Sequence, residues 1–466
     1  MYRIPEKYFY RLHHVRPRFK NDVENVLIYI ADELSRIGKK PTEEFVKDIN
    51  YAITQFPGNS HKSDKTINNW RTEISSLFGL IVTEKENSSP SLRAKELSEN
   101  NDLVEFFKKF LFTFQYPGAH IKAHETLCDI QHGVKFKPAQ YLIRLLKRGE
   151  DISGERAFVT KGEFCHCVFN DLRCTSNMEN FDSVWNRILE NRENKVNYNL
   201  SGDVIRYAGD IIDYMEIANL LISYDNYHYY LNPLENETLL LFENSKEFFN
   251  GYNFFNPTLE DVKLNKNSWI KYVNRPMKET DFSTNILSFI SKDEEEYEKI
   301  LLDSTKLLRE RLDNIELLRT KDIGDIGEGI ICEHEKQRII IEGRSDLIHL
   351  IKRIPTQFAI GYDIQSIESD EKKRYIEVKT TISSKPIEFN KIHLTSNEWR
   401  TADSVKDRYF IYRLMISKSD RKLFIMQDPV TLYKNDLIEM VPKDGADIRF
   451  DLNKSGKFEE LLTWKR

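Results

Sequence analysis

The spacing of apolar residues changes partway along the chain, and that change limits the folds open to it. Up to about residue 290, apolar side chains recur at three- and four-residue intervals, as in Val23, Val26, Leu27, Ile30 and Leu34, the pattern of one face of an α-helix. From about Lys321 the period shortens to two. In Arg374 to Thr381, Ile376 and Val378 fall on one side of a strand and Glu377 and Lys379 on the other. Further β-branched and aromatic stretches lie at 358–364, 386–394, 408–416 and 422–426. The chain of 466 residues therefore reads as multidomain α+β, with a mostly helical N-terminal region and a C-terminal α/β domain built on a mixed sheet.

The balance of 69 Lys+Arg against 74 Asp+Glu excludes a protein that holds nucleic acid by bulk positive charge. Local basic surfaces remain open to it. Arg3, Lys7, Arg11, Arg16, Arg18 and Lys20 alternate with aromatic residues near the N-terminus. Such a stretch either grips phosphates and bases or packs its aromatics on its own domain, and the second is the reading preferred here. Apolar runs such as Phe78 to Val82 are far short of a membrane span, and MYRIPEKYFYRL lacks the apolar core of a signal peptide. Five cysteines form no stapling framework, so a cytoplasmic location is expected.

The N-terminal region suggests DNA recognition by its order of elements. Helices are expected from Asp22 to Ile37, from Pro41 to Phe56 and from Ser63 onward, followed by a ribbon centred on Gly79-Leu80-Ile81-Val82. Three helices and a ribbon are the order of a winged helix-turn-helix unit. The pattern recurs at Gly202 to Leu221, a helix, with a ribbon over Tyr224 to Leu231. Phe106 to Phe114 and Pro138 to Leu146 read as buried helices between the two units. Candidate DNA contacts are Arg71 or Arg206 on guanine, Asn68 or Asn69 on adenine, and Lys65 on phosphate. The expected domains are winged-helix-like units at 1–125 and 126–290, a helical linker at 291–320 and an α/β domain at 321–466.

The C-terminal domain carries the strongest chemical pattern. Asp363 precedes a polar turn, and Glu377 and Lys379 follow on one face of the next strand. Phosphodiester hydrolysis needs a hard cation held by carboxylate oxygens, with an ammonium to orient water or offset the developing charge. Asp363, Glu377 and Lys379 supply those parts. A sheet whose Asp, Glu and Lys form only a salt-bridge network is the alternative reading.

These residues resemble the signature of the PD-(D/E)XK nuclease superfamily, over roughly the last third of the chain. The resemblance extends to Gly327-Glu328 on an upstream helix, Gly361-Tyr362-Asp363-Ile364, Glu377-Val378-Lys379-Thr380-Thr381 and Ser396-Asn397-Glu398. Tyr362 stands where the superfamily usually has proline. The resemblance implies a restriction-endonuclease-like fold and a Mg2+ site, with Mn2+ as a substitute, held by Asp363, Glu377 and Val378. It also implies that Glu328 serves as an accessory acid beside the catalytic Asp363, Glu377 and Lys379.

Together the two halves are similar in layout to type IIS-like restriction endonucleases. The expectation is a Mg2+-dependent DNA endonuclease of a restriction or phage defence system, acting on double-stranded DNA as a homodimer because one such site cuts one strand. The alternatives are a non-cleaving adaptor that docks a methyltransferase or helicase partner, and a nuclease acting on RNA or modified DNA. The chain lacks a Walker A sequence, so ATP binding in a P-loop is not expected. Cys165-His166-Cys167 with Cys174 lacks the paired spacing of a structural zinc site.

Overall fold

The computed structural model describes residues 1–176, 179–284, 289, 295, 323–354, 361–387, 390–418, 420–443 and 445–462. Apart from Glu295, the linker expected at 291–320 lies outside the described residues. The chain forms two compact units, residues 1–99 with 103–282, and residues 100–102 with 283–466. Among the described residues, no helix is long and apolar enough to cross a membrane.

The first unit opens with α1 (Val23–Ile37), which ends where Gly38 adopts φ +68° and returns its N–H to Leu34 O. Then come β1 (Lys40–Pro41), α2 (Thr42–Gln55), α3 (Asp64–Thr72) and the hairpin of β2 (Ile81–Glu84) and β3 (Asn87–Pro90), in sheet order β1-β3-β2. Next, α4 (Leu103–Thr113) and α5 (Pro138–Ser153) cover the two stretches expected to be buried helices. After α5 the order returns: β4 (Phe158–Val159), α6 (Phe181–Glu193), α7 (Gly202–Ile217), β5 (Leu221–Ile222) and β6 (Tyr229–Leu231), in sheet order β4-β6-β5. A helix, a strand, helices and a hairpin thus occur twice with the same strand arrangement.

Around the second hairpin the boundaries differ from those the sequence predicts. The helix expected to reach Leu221 stops at Ile217, and Asn219 beyond it takes φ +59°, a conformation asparagine tolerates. The ribbon expected over Tyr224 to Leu231 is a strand only from Tyr229. Asp225 accepts N–H bonds from Tyr227 (2.9 Å) and His228 (2.8 Å), and this side-chain-held turn replaces the start of the strand.

Aromatic packing joins these elements. Phe107 and Phe110 of α4 meet Tyr214 of α7 at centroid distances of 5.3 and 5.7 Å, and Phe110 lies 5.5 Å from Phe78. Arg93 is buried among them and donates to Phe78 O (3.0 Å), Thr113 Oγ1 (3.0 Å) and Val273 O (2.6 Å). Burial lowers its pKa to about 10.

The basic N-terminal stretch packs on its own unit. Arg18 pairs with Glu73 (2.6 Å), Lys20 with Asp213 (3.0 Å), Arg16 with Asp210 (3.5 Å) and Arg11 with Asp203 (3.6 Å). Phe19 packs against Trp70 at 4.8 Å. The Tyr10 hydroxyl donates to Asp129 Oδ1 at 2.8 Å, and burial raises the pKa of Asp129 to about 7. A carboxyl raised in the folded state adds stability below its unfolded pKa, and that contribution is lost as pH climbs through about 7. Asp129→Asn keeps an acceptor for Tyr10 and removes the ionisation. It is expected to raise Tm at pH 8 by about 5 °C, with the difference vanishing near pH 4 in thermal melts.

The second unit contains α8 (Ile323–Ile341), β7 (Lys352–Arg353), β8 (Ile364–Ile367), β9 (Lys373–Ser383), β10 (Lys391–Leu394), α9 (Ser396–Val405), β11 (Tyr409–Ser417), β12 (Arg421–Gln427), α10 (Pro429–Lys434), β13 (Ile438–Lys443), β14 (Gly445–Phe450) and β15 (Lys457–Glu459). Residues 358–360 and 388–389 of the expected strands lie outside the described residues; among those described, only Ile364 of the stretch expected at 358–364 is strand, β8 running on to Ile367 instead, and the stretch expected at 386–394 is strand only from Lys391. Six strands form a mixed sheet in the order β15-β12-β11-β9-β8-β7, in which β9 and β11 run parallel and the other pairs antiparallel. A parallel pair needs a crossover, and the segment carrying α9 connects them. Its Ala402 packs with Leu394, Tyr409, Ile411, Phe424 and Met426. That core fixes the start of α9 beside the middle of β9, where the candidate site lies.

Candidate active site

The site begins where β8 falls short of β9. Their pairing places Ile364 opposite Ile376, and Asp363 N–H donates to Ile376 O at 2.9 Å. Beyond Ile376, β9 continues to Ser383 without β8 beside it. Asp363 fills the first open position, its Oδ2 accepting the Val378 N–H at 2.8 Å. The N–H and C=O of one strand residue project to the same side, so the Val378 carbonyl also faces Asp363.

Glu377 and Lys379 share a face of β9, as their spacing predicts. Lys379 Nζ donates to Glu377 Oε1 at 2.6 Å and to Glu398 Oε2 at 3.1 Å. Glu377 is buried, only 4% exposed, and burial drives its pKa well above the ordinary carboxylate range, aided by Asp363 and Glu398 and opposed by Lys379. Burial likewise raises Asp363. For Lys379 burial acts to lower the pKa, but the charges of Glu377, Glu398 and Asp363 outweigh it and raise it. The ammonium is therefore held protonated between carboxylates.

Two glycines let other elements approach β9 and its neighbours. A Cβ at Gly327 of α8 would strike Thr380 Oγ1 on β9, so the Gly-Glu pair allows the helix to lie against the strand that carries the acids. Glu328, next in the chain, accepts from Arg353 Nη2 (2.7 Å) and Nε (3.2 Å) on β7. The charge of Arg353 also acts to lower the pKa of Asp363. Gly361 has φ +80°, and a Cβ there would meet Thr401 Oγ1 and, at 2.9 Å, Asn397 O of α9. Close packing against α9 thus begins two residues before Asp363.

Glu398 is the residue that the sequence reading left without a role. Its signals are the Ser396-Asn397-Glu398 stretch of the resemblance and a local one: Thr395-Ser396-Asn397-Glu398 forms a capping box, with Thr395 N–H on Glu398 Oε2 at 3.0 Å and Glu398 N–H on Thr395 Oγ1 at 3.3 Å. The pairing with Lys379 spans a crossover and leaves no periodic trace in the sequence.

Oxygen donors suit a hard cation at Asp363, Glu377 and the Val378 carbonyl. No group of three or more His, Cys, Asp or Glu residues gathers as a metal cluster among the described residues. Two carboxylates and a carbonyl would leave the other positions of a Mg2+ ion to water or phosphate oxygens, which is how this cation is commonly bound. Cys165, Cys167 and Cys174 are buried free thiols.

The candidate DNA contacts lie in the first unit. On α3, Lys65 and Asn68 are exposed, while Asn69 and Arg71 are half-buried. Arg71 Nη1 donates to Asn50 Oδ1 of α2 (2.7 Å) and Asn68 Oδ1 (2.8 Å), which seats its guanidinium across the two helices. Arg206 on α7 is exposed and lies 3.5 Å from Asp203. α7 carries Asp203, Asp210, Asp213 and Glu216 against Arg206, and α3 carries Lys65 and Arg71 against Asp64, so α3 is the more cationic of the two helices.

Comparison with known proteins gives two family matches. Residues 2–270 match the family described as restriction endonuclease BpuJI, N-terminal. Residues 327–426, which span Glu328, Asp363, Glu377, Lys379 and Glu398, match the family described as protein NO VEIN, C-terminal. Among solved structures, the BpuJ1 endonuclease binding domain, crystallised in complex with pyrene- and phenanthrene-modified DNA, is similar at 24% identity and a TM-score of 0.52. The similarity covers 57% of this chain and 98% of that one, and at this identity it speaks for the fold alone. No curated protein matches.

Proposed function

Because the chain belongs, through residues 2–270, to the restriction endonuclease BpuJI N-terminal family, we propose that it is a Mg2+-dependent DNA endonuclease of restriction type. On this reading the first unit recognises double-stranded DNA through winged-helix elements, and the second, a PD-(D/E)XK domain, hydrolyses the backbone. The observation that carries the cleavage half is the meeting of Asp363, Glu377 and Lys379 at the open edge of β9, with Val378 N–H on Asp363 and Lys379 on Glu377.

The chemistry follows from these groups. A Mg2+ ion held here would supply polarisation of the phosphoryl oxygen and a more nucleophilic water. Asp363, Glu377 and the Val378 carbonyl would hold it, and Glu328 stands by as an accessory acid on Arg353. Lys379 stays protonated, so its role is to orient water or offset charge on the phosphate rather than to remove a proton. One site cuts one strand, so two copies of the chain are proposed to act on a duplex.

The same ion pairs also suit a non-cleaving scaffold in which Lys379 serves only to tie Glu377 to Glu398. The two readings separate when the purified chain is incubated with methylated and unmethylated phage and plasmid DNA, with Mg2+ or EDTA. Discrete Mg2+-dependent fragments support the endonuclease; intact DNA in every lane despite binding supports the scaffold. For recognition, Arg71→Ala and Arg206→Ala are each expected to weaken DNA binding about tenfold in fluorescence anisotropy, with metal binding unchanged. Unaltered affinity in both variants would remove α3 and α7 from the interface.

A further inference from the structure

We propose that Glu398 is a positioning residue that holds Lys379 in place once a divalent cation occupies the site. The proposal rests on the endonuclease reading. Lys379 Nζ lies between Glu377 Oε1 (2.6 Å) and Glu398 Oε2 (3.1 Å). A cation held by Asp363 and Glu377 would draw on the charge of Glu377 and repel the ammonium beside it. Glu398 is then the carboxylate left to keep Lys379 aimed at the reacting phosphate.

Its own placement makes it suited to that task. The oxygen that receives Lys379 also accepts the Thr395 N–H at 3.0 Å, and Glu398 N–H returns to Thr395 Oγ1 at 3.3 Å. Glu398 is thereby fixed by the first turn of α9 rather than by the metal ligands. Charge counting gives the same answer. With Asp363 and Glu377 ionised as metal ligands, they and Glu398 set against Lys379 would leave two negative charges for one divalent cation to balance, while Glu328 and Arg353 offset each other. With Glu398 neutralised, the loaded site carries an uncompensated positive charge in a partly buried position, a costly arrangement.

The test uses the full chain and three variants. Glu398→Gln keeps an oxygen for Thr395 N–H but loses the charge, Glu398→Asp keeps the charge, and Thr395→Ala removes the reciprocal hydroxyl bond while leaving the charge. Mn2+ affinity is read by electron paramagnetic resonance, cleavage against Mg2+ concentration by gel, and folding by thermal melts. Glu398→Gln is expected to weaken Mn2+ binding and slow cleavage by about tenfold each, with partial recovery at high Mg2+. Glu398→Asp should retain most of the Mn2+ affinity, and Thr395→Ala should stay within about threefold of the wild type. If Thr395→Ala reproduces the losses of Glu398→Gln, the role is helix capping and the proposal falls. If Glu398→Gln binds Mn2+ and cleaves like the wild type while Asp363→Asn does neither, the proposal falls and the endonuclease stands. A wild-type chain that binds no Mn2+ and cuts no DNA overturns both.

Discussion

Asp363→Asn and Lys379→Ala are each expected to lower Mg2+-dependent cleavage by about a thousandfold or more while leaving DNA affinity intact. The asparagine variant is the cleaner of the two for the acid. Asn keeps an oxygen to accept the Val378 N–H that Asp363 now holds at 2.8 Å, so the edge of β9 retains its partner and only the charge is lost. Removing Lys379 leaves Glu377 and Glu398 adjacent without the ammonium that now pairs with both. Their repulsion would favour protonation of Glu377, whose pKa burial already raises. A protonated Glu377 is a poor metal ligand, so Lys379→Ala is expected to weaken Mn2+ binding near neutral pH and regain part of it as pH rises. Equal cleavage by either variant and the wild type would refute the assigned chemistry. DNA affinity should not change, because Lys65, Asn68, Asn69, Arg71 and Arg206 belong to the other compact unit.

The parts of the site legible in the sequence are those written at short range. Period-two alternation places Glu377 and Lys379 on one face, and the antiparallel return after Asp363 brings Val378 beside it, although β8 runs to Ile367, past the Ile364 at which the expected strand ends. Helical spacing and Gly38 likewise mark α1 and its end. Glu398 carries a local mark as a capping residue, but its meeting with Lys379 depends on how the segment carrying α9 crosses from β9 to β11. Arg353 is equally silent, since a two-residue edge strand leaves too little pattern to place it opposite Glu328. In the first unit, the acids Asp203, Asp210 and Asp213 stand on α7. They are partners of Arg11, Arg16 and Lys20, about 190 residues earlier in the chain, and no local rule connects positions that far apart.

Gly327→Ala is expected to reduce cleavage by about a hundredfold, whereas Gly329→Ala two residues later should be neutral or slightly stabilising. Both positions lie in α8, where alanine is the better helix former by about 1 kcal/mol. Their surroundings differ. A Cβ at Gly329 meets nothing within 4 Å, but one at Gly327 collides with Thr380 Oγ1 and comes within 3.0 Å of Thr380 Cβ. Threonine is stiff about χ1, and Thr380 is the residue after Lys379 on β9. Relief of the collision must therefore shift α8, which carries Glu328, or β9, which carries Glu377 and Lys379. A displacement of about 1 Å is enough to disable a site of this kind. Thr380→Ala removes the hydroxyl that collides, so it is expected to restore part of the activity to Gly327→Ala while doing little alone. A double-mutant cycle on cleavage rate and Mn2+ affinity measures that coupling. If the two substitutions simply add, the glycine matters for helix propensity or the unfolded chain, and the contact between α8 and β9 does not set the geometry of the acids.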